Sequence, residues 1–414
     1  MSNNRNTQLA LVLLESLRMI NYVGSYGIIG YIAVDLGSTI NATQAFLLLP
    51  FIAGSMIGQA SIGVLSDRVG RRKSLVCFLT IYIAACFASA FCRAPWLFMI
   101  MRGCAGLGST VGEIIVRTII HENYDIESGA KQYSRISGYS YIVVGLAPFL
   151  LNQISSQFGW QSFFMLNAVF GLMVFGIAQS QLRQKTTQIV NRSMTWRQLS
   201  VQLFHVARNK QYQINCLQYM LAIILIESGF FLFPVILTDH FSVSKTWLSI
   251  LYGIITGIVG YLSGLLNTQL LRYFRITRVT NTMLGICCVL AIAYVVNFSL
   301  ASGTIQYAAY LALFYCSFLC SNIMIINLFM TTTQSINKKD TGAGLMTSLT
   351  ASVYALSSLI AGTVVSMIET NSPLDISVYY AGYIGMVMLA FHLIRKQQLH
   401  RNLRNMTGRQ QLQK

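Results

Sequence analysis

The chain alternates long apolar segments with short polar connectors. Twelve segments approach the roughly 20 residues that an α-helix needs to cross the hydrocarbon core of a bilayer. The pattern therefore predicts an all-α integral membrane protein with twelve transmembrane helices. The predicted spans cover residues 9–32, 44–66, 74–92, 96–118, 132–154, 161–180, 212–236, 246–270, 279–300, 305–330, 343–366 and 376–394.

One connector is much longer than the others and divides the spans into six plus six. It runs from Gln181 to Gln211 and is polar and basic. We therefore predict four parts: an N-terminal six-helix bundle at 1–180, a cytoplasmic basic linker at 181–211, a C-terminal six-helix bundle at 212–394 and a cytoplasmic basic tail at 395–414.

The composition agrees with a membrane protein. Hydrophobic residues make up 54% of the chain and charged residues only 10%, whereas about a quarter of the residues in a soluble domain are charged. The net charge of +17 could indicate a nucleic-acid partner, but the basic residues are interleaved with segments of membrane length. The expected partner is therefore the lipid bilayer, and no nucleic acid is expected.

The loop charges predict how the chain is oriented. Connectors after the even-numbered spans hold nearly all the loop lysines and arginines, whereas the opposite connectors hold only Arg93 and Lys245. Lysine- and arginine-rich loops stay in the cytoplasm. Both termini are therefore predicted to be cytoplasmic, with the protein in the inner membrane of the cell.

The connector after the second span concentrates charge in an otherwise apolar region. The stretch GVLSDRVGRRKS, which begins at Gly63, holds five charged residues in twelve positions. A weaker second copy, GLLNTQLLRYFRITR, begins at Gly264 after the eighth span, with Thr268 where Asp67 would stand. Such internal repetition indicates a duplicated architecture.

This charged stretch resembles the signature that follows the second span in the major facilitator superfamily. The pattern G-x-L-x-D-R-x-G-R-R is matched at Gly63, Leu65, Asp67, Arg68, Gly70, Arg71 and Arg72. The first half is also similar to the Bcr/CflA-type drug–proton antiporters, in the segments MRGCAGLGSTVGEIIVRTII, GLAP and FGWQSFF. These segments contain the helix-packing positions Gly106, Gly145 and Pro148. Ala105 stands where that family has Gln, and the family's acidic residue in the first span is absent.

The resemblance implies how the protein would work. Two six-helix bundles would surround a midplane site and open it to each side of the membrane in turn. Asp67 would contact the start of the eleventh span, near Asp340 to Gly344. The predicted conformational gate consists of Gly63, Asp67, Arg68, Gly70, Arg71 and Arg72.

Several charged residues are predicted inside the membrane, where burying a charge is costly. These candidates for proton coupling are Glu15, Arg18, Arg102, Glu113, Arg117 and Glu227. The resemblance implies this role for Arg102. Glu15 with Arg18, and Glu113 with Arg117, have the spacing of intrahelical ion pairs, so a structural role is the alternative. For Glu227 the alternative is a hydrogen bond to a neighbouring helix.

Polar and aromatic residues in the spans are candidates for a substrate pocket. They are Asn21, Tyr22, Tyr26, Phe230, Phe231, Asn322 and Asn327. Apolar walls with a few polar groups suit an amphipathic ligand. The alternative for each residue is helix packing.

The sequence thus predicts a secondary active transporter and not an enzyme. It has no Gly-rich phosphate-binding loop with Lys, so the expected energy source is an ion gradient and not a nucleotide. Protons are the expected ion, since the buried charges are carboxylates and arginines, and no cofactor is expected. The five histidines lie at or beyond the ends of the spans, and no metal site is expected. By resemblance, a monomer exports small amphipathic compounds. Alternatives are a transporter for a specific metabolite or siderophore, in either direction, and a transporter-like receptor or scaffold.

Overall fold

A computed structural model describes most of the chain. The described residues are 5–25, 28–35, 37, 40–92, 94–181, 196–244, 247–248, 250–336 and 342–365, together with the glycines at 382 and 385. Every regular element within these ranges is helical. The predicted twelfth span, 376–394, and the basic tail lie outside the described residues, apart from those two glycines.

The helices are, in chain order, α1 (Arg5–Ser25), α2 (Ile29–Asp35), α3 (Ile40–Val69), α4 (Arg71–Phe91), α5 (Pro95–Asn123), α6 (Ile126–Phe158), α7 (Gln161–Gln181), α8 (Trp196–Arg208), α9 (Lys210–Val235), α10 (Thr256–Tyr273), α11 (Ile276–Leu300), α12 (Gly303–Thr333) and α13 (Ala343–Val365). Two π-helical segments, Ile236–His240 and Ile250–Ile255, follow α9 and precede α10.

Nine helices within the described ranges are long and apolar enough to cross a membrane. They correspond to α3, α4, α5, α7 and α9 to α13, where α9 and α10 are extended by their π-helical segments. Two further helices, α1 and α6, cover most of the first and fifth predicted spans but are more polar. In α1 the reason is visible in the sequence, because Glu15 and Arg18 lie near its middle.

The first predicted span is not one continuous helix. The structure ends α1 at Ser25 and begins α2 at Ile29, whereas the sequence predicted a single segment over 9–32. The surrounding sequence, GSYGIIG, holds three glycines in seven residues, and glycine lowers helix stability by about 1 kcal/mol. At the break, the Ser25 side chain donates to the backbone oxygen of Asn21 over 2.5 Å.

The charged connector between the predicted spans 44–66 and 74–92 is almost entirely helical. α3 extends to Val69, so Asp67 and Arg68 lie in its last turn, and α4 begins at Arg71. Only Gly70 separates the two helices, with φ of 100°. Residues other than glycine rarely adopt this backbone conformation. Glycine at this position therefore allows the chain to reverse direction sharply between α3 and α4.

Two pairs of helices pack face to face through glycines. α3 packs against α13, and α6 packs against α10. A Cβ atom on Gly63 would collide with the backbone oxygen of Gly344, and one on Gly264 would collide with that of Ser134. Gly63 and Gly264 each lie where a helix of one half packs closely on a helix of the other half. This agreement supports the duplication seen in the sequence. We call the end of the bundle that contains the α3–α4 junction, the last turn of α5 and the last turn of α12 the basic end.

Candidate functional site

A cavity lies between the helices of the first and second halves. It is lined by α1, α5 and α6 from the first half and by α9, the second π-helical segment, α10, α12 and α13 from the second. Its walls are mostly apolar, with charged groups gathered at α1, α5 and α9. Apolar walls with a few placed polar groups are typical of small-molecule sites.

Four charged residues meet at one side of this cavity. Arg18 Nε of α1 donates to Glu113 Oε2 of α5 over 2.6 Å. Arg117, one turn after Glu113, forms an ion pair with Glu113 and contacts Glu15 Oε1 over 3.5 Å. All four residues are at most 8% exposed. We call Glu15, Arg18, Glu113 and Arg117 the four-charge cluster.

The pairing within the four-charge cluster differs from the simplest expectation for α1. Glu15 and Arg18 share a helix face, but Arg18 pairs with Glu113 and Glu15 contacts Arg117. The pair Glu113–Arg117 does have the expected intrahelical spacing. Both helices present one acid and one base, so crossed pairing gives each arginine an acidic partner on the neighbouring helix.

Aromatic groups complete the four-charge cluster. The Tyr133 hydroxyl donates to Glu15 Oε1 over 3.0 Å. The Arg117 guanidinium lies 5.3 Å from the Tyr133 ring centre and 4.8 Å from that of Phe329. Arginine over an aromatic face is stabilised by the charge distribution of the ring. The cluster therefore holds two positive and two negative groups in a largely apolar surround.

Glu227 of α9 stands apart from these pairs. It accepts a hydrogen bond from the Tyr354 hydroxyl, and Ser358 Oγ donates to its Oε2 over 3.3 Å. No lysine or arginine of the described chain forms an ion pair with Glu227. Arg18 lies 5.7 Å from the Tyr354 ring centre. Tyr354 therefore stands between Glu227 and the four-charge cluster.

Arg102 does not line the cavity, although it was a candidate for coupling. It is fully buried and donates to Leu47 O, Asn21 Oδ1 and Ser25 Oγ over 3.0, 2.7 and 3.2 Å. Its guanidinium also lies 4.7 Å from the Phe51 ring centre. Neutral acceptors satisfy this arginine, and within the described ranges no carboxylate pairs with it.

The pocket candidates divide into two groups. Tyr22, Phe230, Phe231 and Asn322 line the cavity. Asn21 and Asn327 are fully buried behind its wall, which corrects the expectation that they face substrate. Asn21 is held by Arg102 over 2.7 Å, and Asn327 Nδ2 donates to Asn267 Oδ1 over 3.2 Å.

Tyr26, the remaining pocket candidate, lies outside the described residues.

Asp67 lies at the start of α13, as the sequence predicted. Its Oδ1 accepts from Gly344 N over 3.2 Å and its Oδ2 from Leu345 N over 2.9 Å. These are unpaired N–H groups of the first helical turn, and the positive end of the helix dipole favours a carboxylate there. Asp67 thus caps α13 from a different helix.

Arg71 completes this contact. Its Nη2 donates to Asp67 Oδ1 over 2.9 Å and also pairs with Glu122 at the end of α5. The sequence did not single out Glu122. Three helices therefore meet at Arg71, and Gly63 N adds a hydrogen bond of 2.9 Å to Ser348 Oγ of α13.

The other predicted gate residues surround this contact. Arg68 lies in the last turn of α3, and Gly70 forms the junction with α4. Arg72 Nε donates to Gln179 Oε1 of α7 over 3.1 Å, so it joins two helices of the first half. The direct link to α13 is carried by Gly63 and Asp67.

Neutral hydrogen bonds join α6 to the second half. Asn267 Nδ2 of α10 donates to Ser134 Oγ over 2.7 Å, and Tyr141 OH donates to Asn322 Oδ1 over 3.4 Å. Thr268 stands where Asp67 would in the repeat; its hydroxyl donates to Gly264 O of its own helix over 2.8 Å and lies 3.5 Å from Lys131 O of α6. The second copy of the motif therefore holds its helices together without an ion pair at that position.

The predicted helix-packing glycines lie at close helix contacts. A Cβ on Gly106 would collide with Phe51 O of α3, and one on Gly145 would come 2.8 Å from Gly257 Cα of α10. Pro148 lies on α6, which continues to Phe158. Small residues at such places let helix backbones approach each other.

Sequence reasoning missed several residues that complete the site. They are Glu122, Tyr133, Ser134, Asn267, Tyr354 and Ser358. Hydroxyls and amides inside apolar helices are common, and only packing shows which of them reach a buried charge. Glu122 had a visible signal, because it is an acidic residue just beyond the end of the predicted span 96–118.

These features define a class of protein. The chain belongs to the Major Facilitator Superfamily, whose sequence pattern matches residues 11–391. It is therefore a multi-pass membrane transporter and not an enzyme, and the resemblance to this superfamily in the sequence is confirmed.

Among individual proteins, the chain is similar to several called multidrug resistance protein MdtL. It is 27% identical to that of Shewanella sp. (strain ANA-3) over 173 residues, which are 41% of this chain and 44% of the relative. It is 29% identical to that of Escherichia coli (strain K12 / DH10B) over 156 residues, which are 37% of this chain and 39% of the relative. The similarity thus spans less than half the length of these relatives.

Solved structures share the fold. A bacterial homologue of the iron transporter ferroportin in an outward-facing state superposes with a TM-score of 0.73 at 15% identity, covering 94% of this chain and 98% of that one. The proton:xylose symporter XylE bound to 6-bromo-6-deoxy-D-glucose gives a TM-score of 0.70 at 15% identity, covering 94% and 95%. These likenesses show the fold alone.

Proposed function

We propose that this protein is a proton-driven exporter of small amphipathic compounds that works by alternating access in the inner membrane, as a monomer with both termini in the cytoplasm. The cavity supports this proposal, because its walls are mostly apolar and several charged groups lie within it. The similarity to multidrug resistance proteins over part of the chain supports the substrate class. The energy source is the proton gradient, and no cofactor takes part.

The observation that carries proton coupling is the charge balance inside the cavity. The two arginines of the four-charge cluster balance its two glutamates, so protonating Glu113 would leave buried positive charge uncompensated. Glu227 is outside this balance and is held by two hydroxyl groups. A hydroxyl can hydrogen-bond to either protonation state of a carboxyl group. Glu227 is therefore the proposed proton carrier.

Glu15 is the second candidate carrier. Its contact with Arg117 is 3.5 Å long, and its Oε2 has no hydrogen-bond partner among the described residues. Protonation of Glu15 would leave one net positive charge in the four-charge cluster, but both arginines would keep Glu113 as an ion-pair partner. Arg18 and Arg117 hold the four-charge cluster in place, and Arg102 positions α1 through Asn21 and Ser25.

Closure of the basic end supports alternating access. Asp67 and Arg71 tie α3 to α13 and α5 at this end. His121 Nε2 of α5 lies 3.0 Å from Thr333 O of α12. These contacts join the two halves on one side of the cavity, and they must separate for the cavity to open there. We propose that the basic end is the cytoplasmic side and that Asp67 is the gate.

The test is transport by the full chain in proteoliposomes that contain a pH-sensitive dye. A panel of lipophilic cations and neutral amphipathic compounds is added under an imposed pH gradient, with protein-free vesicles as the control. We expect compound-dependent proton flux for several members of the panel. Absence of proton flux for every compound that the protein accumulates or releases would exclude proton coupling.

A second candidate function is transport of one specific charged metabolite or siderophore. Arg117 Nε and Nη1, together with Glu15 Oε2, have no hydrogen-bond partner among the described residues. These residues line the cavity and could bind a ligand that carries both an acidic and a basic group. Comparing the metabolites inside and outside knockout cells would distinguish the two functions, because a specific transporter changes the level of few compounds.

A further inference from the structure

The amphipathic helix α8 is joined to the membrane-spanning helix α9 by a fixed bend. Only Asn209 separates them, and its side chain accepts from the backbone N–H groups of Gln211 and Tyr212 over 2.9 and 3.1 Å. Gln213 Nε2 of α9 donates back to Ala207 O of α8 over 2.7 Å. Because α9 crosses the bilayer, this bend keeps the end of α8 at the membrane surface.

One face of α8 packs on the basic end of the bundle. Val206 is fully buried in a cluster with Tyr212, Ile336 and Met346. Met346 follows Leu345, whose N–H binds Asp67. The packed face of α8 therefore rests beside the helix turn that carries the gate contact.

Among the described side chains of α8, two apolar ones on the face opposite Val206 are exposed. Val201 is 61% exposed and Phe204 is 62% exposed. The Arg208 guanidinium lies 5.3 Å from the Phe204 ring centre on the same side. Helices that lie in the bilayer interface typically carry apolar side chains next to arginine. The apolar side chains enter the membrane, and the arginine side chain extends to the lipid headgroups.

The charge of the linker matches an anionic partner. Between positions 181 and 211 the sequence contains six lysines and arginines and no aspartate or glutamate. Arg208, and Lys210 at the start of α9, are exposed. A basic segment next to a membrane attracts acidic lipids, with about 1 kcal/mol for each basic residue near the surface.

We infer that α8 is an anionic-lipid docking helix. Val201 and Phe204 enter the headgroup region, while Arg208 and Lys210 bind phospholipid phosphates. The lipid surface therefore covers the face that the protein leaves open. This inference depends on the membrane location of α9 and not on the transported compound.

The test uses hydrogen–deuterium exchange of residues 196–208 in the full-length protein. Nanodiscs of phosphatidylcholine are compared with nanodiscs that also contain phosphatidylglycerol. We expect slower exchange with phosphatidylglycerol, and loss of that difference in the double variant Val201→Ser with Phe204→Ser. Arg208→Gln should reduce about fivefold the ratio of the exchange rate in phosphatidylcholine to the rate with phosphatidylglycerol. This is the effect expected from one basic residue at an anionic surface. Equal exchange in both lipids would overturn the inference.

Two controls test whether the protection of α8 comes from its own contact with anionic lipid. Val34→Ser changes a valine that is 84% exposed on α2 and should leave the lipid difference intact. Inorganic phosphate added to phosphatidylcholine nanodiscs should not slow exchange. If phosphate alone gave the full protection, α8 would be a site for a free anion and the lipid assignment would be wrong. A change in Val34→Ser as large as in the double variant would also contradict it.

Discussion

Arg18 and Glu113 form a buried ion pair of 2.6 Å that joins α1 to α5, although 95 positions separate them in the chain. The pair lies at the wall of the central cavity. It makes the position of α1 depend on the charge state of α5. The four-charge cluster is thus both a structural link and a part of the cavity surface.

Removing one partner of this pair should strongly destabilise the protein. Arg18→Met leaves Glu113 with one arginine and changes the charge of the cluster, and Glu113→Gln leaves two arginines with only Glu15 nearby. The expected loss is about 3–5 kcal/mol for each single variant. The measurement is unfolding in detergent by denaturant.

The double variant Arg18→Met with Glu113→Gln is the control for this prediction. It keeps the balanced pair Glu15–Arg117, so it should be more stable than the sum of the two single changes implies. Simple addition of the two losses would show that the residues do not interact.

Asp67→Asn should slow the conformational cycle more than it weakens substrate binding. The amide loses the charge that favours the start of α13 and the contact with Arg71. Charge-assisted hydrogen bonds contribute about 1.5–3 kcal/mol, so we expect a fall in transport rate of about tenfold or more. The measurement compares transport rate with equilibrium substrate binding in the same preparation.

Asp125→Asn is the matched control, because Asp125 is exposed and caps α6, where asparagine serves equally well. It should transport at the normal rate. A normal rate in Asp67→Asn would contradict the gate role.

Gly63→Ala should disturb the closed gate. The added methyl group would meet Gly344 O and Ser348 Oγ of α13, and crowding of this kind costs about 1–3 kcal/mol. Because this contact closes the basic end, the loss should appear as increased labelling of cysteines introduced along the cavity at that end. Gly176→Ala is the control, since nothing lies within 4 Å of its added carbon. Equal labelling in both variants would show that the close approach of α3 and α13 does not hold the gate.

The sequence predicted those features that depend on local pattern. The charged stretch from Gly63 indicated the superfamily, and the resemblance to that superfamily, rather than local spacing, implied the contact of Asp67 with the start of α13. The spacing of Glu113 and Arg117 predicted their pairing. The spacing of residues along the sequence determines which side chains are neighbours on the same helix.

Contacts between helices could not be predicted in this way. The partner of Arg18 depends on how α1 packs against α5, and Asn21 and Asn327 proved to serve Arg102 and Asn267 behind the cavity wall. Tyr354 reaches Glu227 from 127 positions away. The predicted span over 9–32 is divided between α1 and α2, with Ile28 in a turn before α2, and the apolar pattern alone did not predict that division.

The measurement that tests the proposed proton coupling most directly is transport by Glu227→Gln in proteoliposomes, with two assays on one preparation. We expect this variant to lose compound transport driven by a pH gradient while it keeps exchange of labelled for unlabelled compound at zero gradient. Glu127→Gln, at an exposed glutamate in the first turn of α6, should behave as the unchanged protein in both assays. Gradient-driven transport at the normal rate in Glu227→Gln would contradict the assignment of Glu227 as the proton carrier.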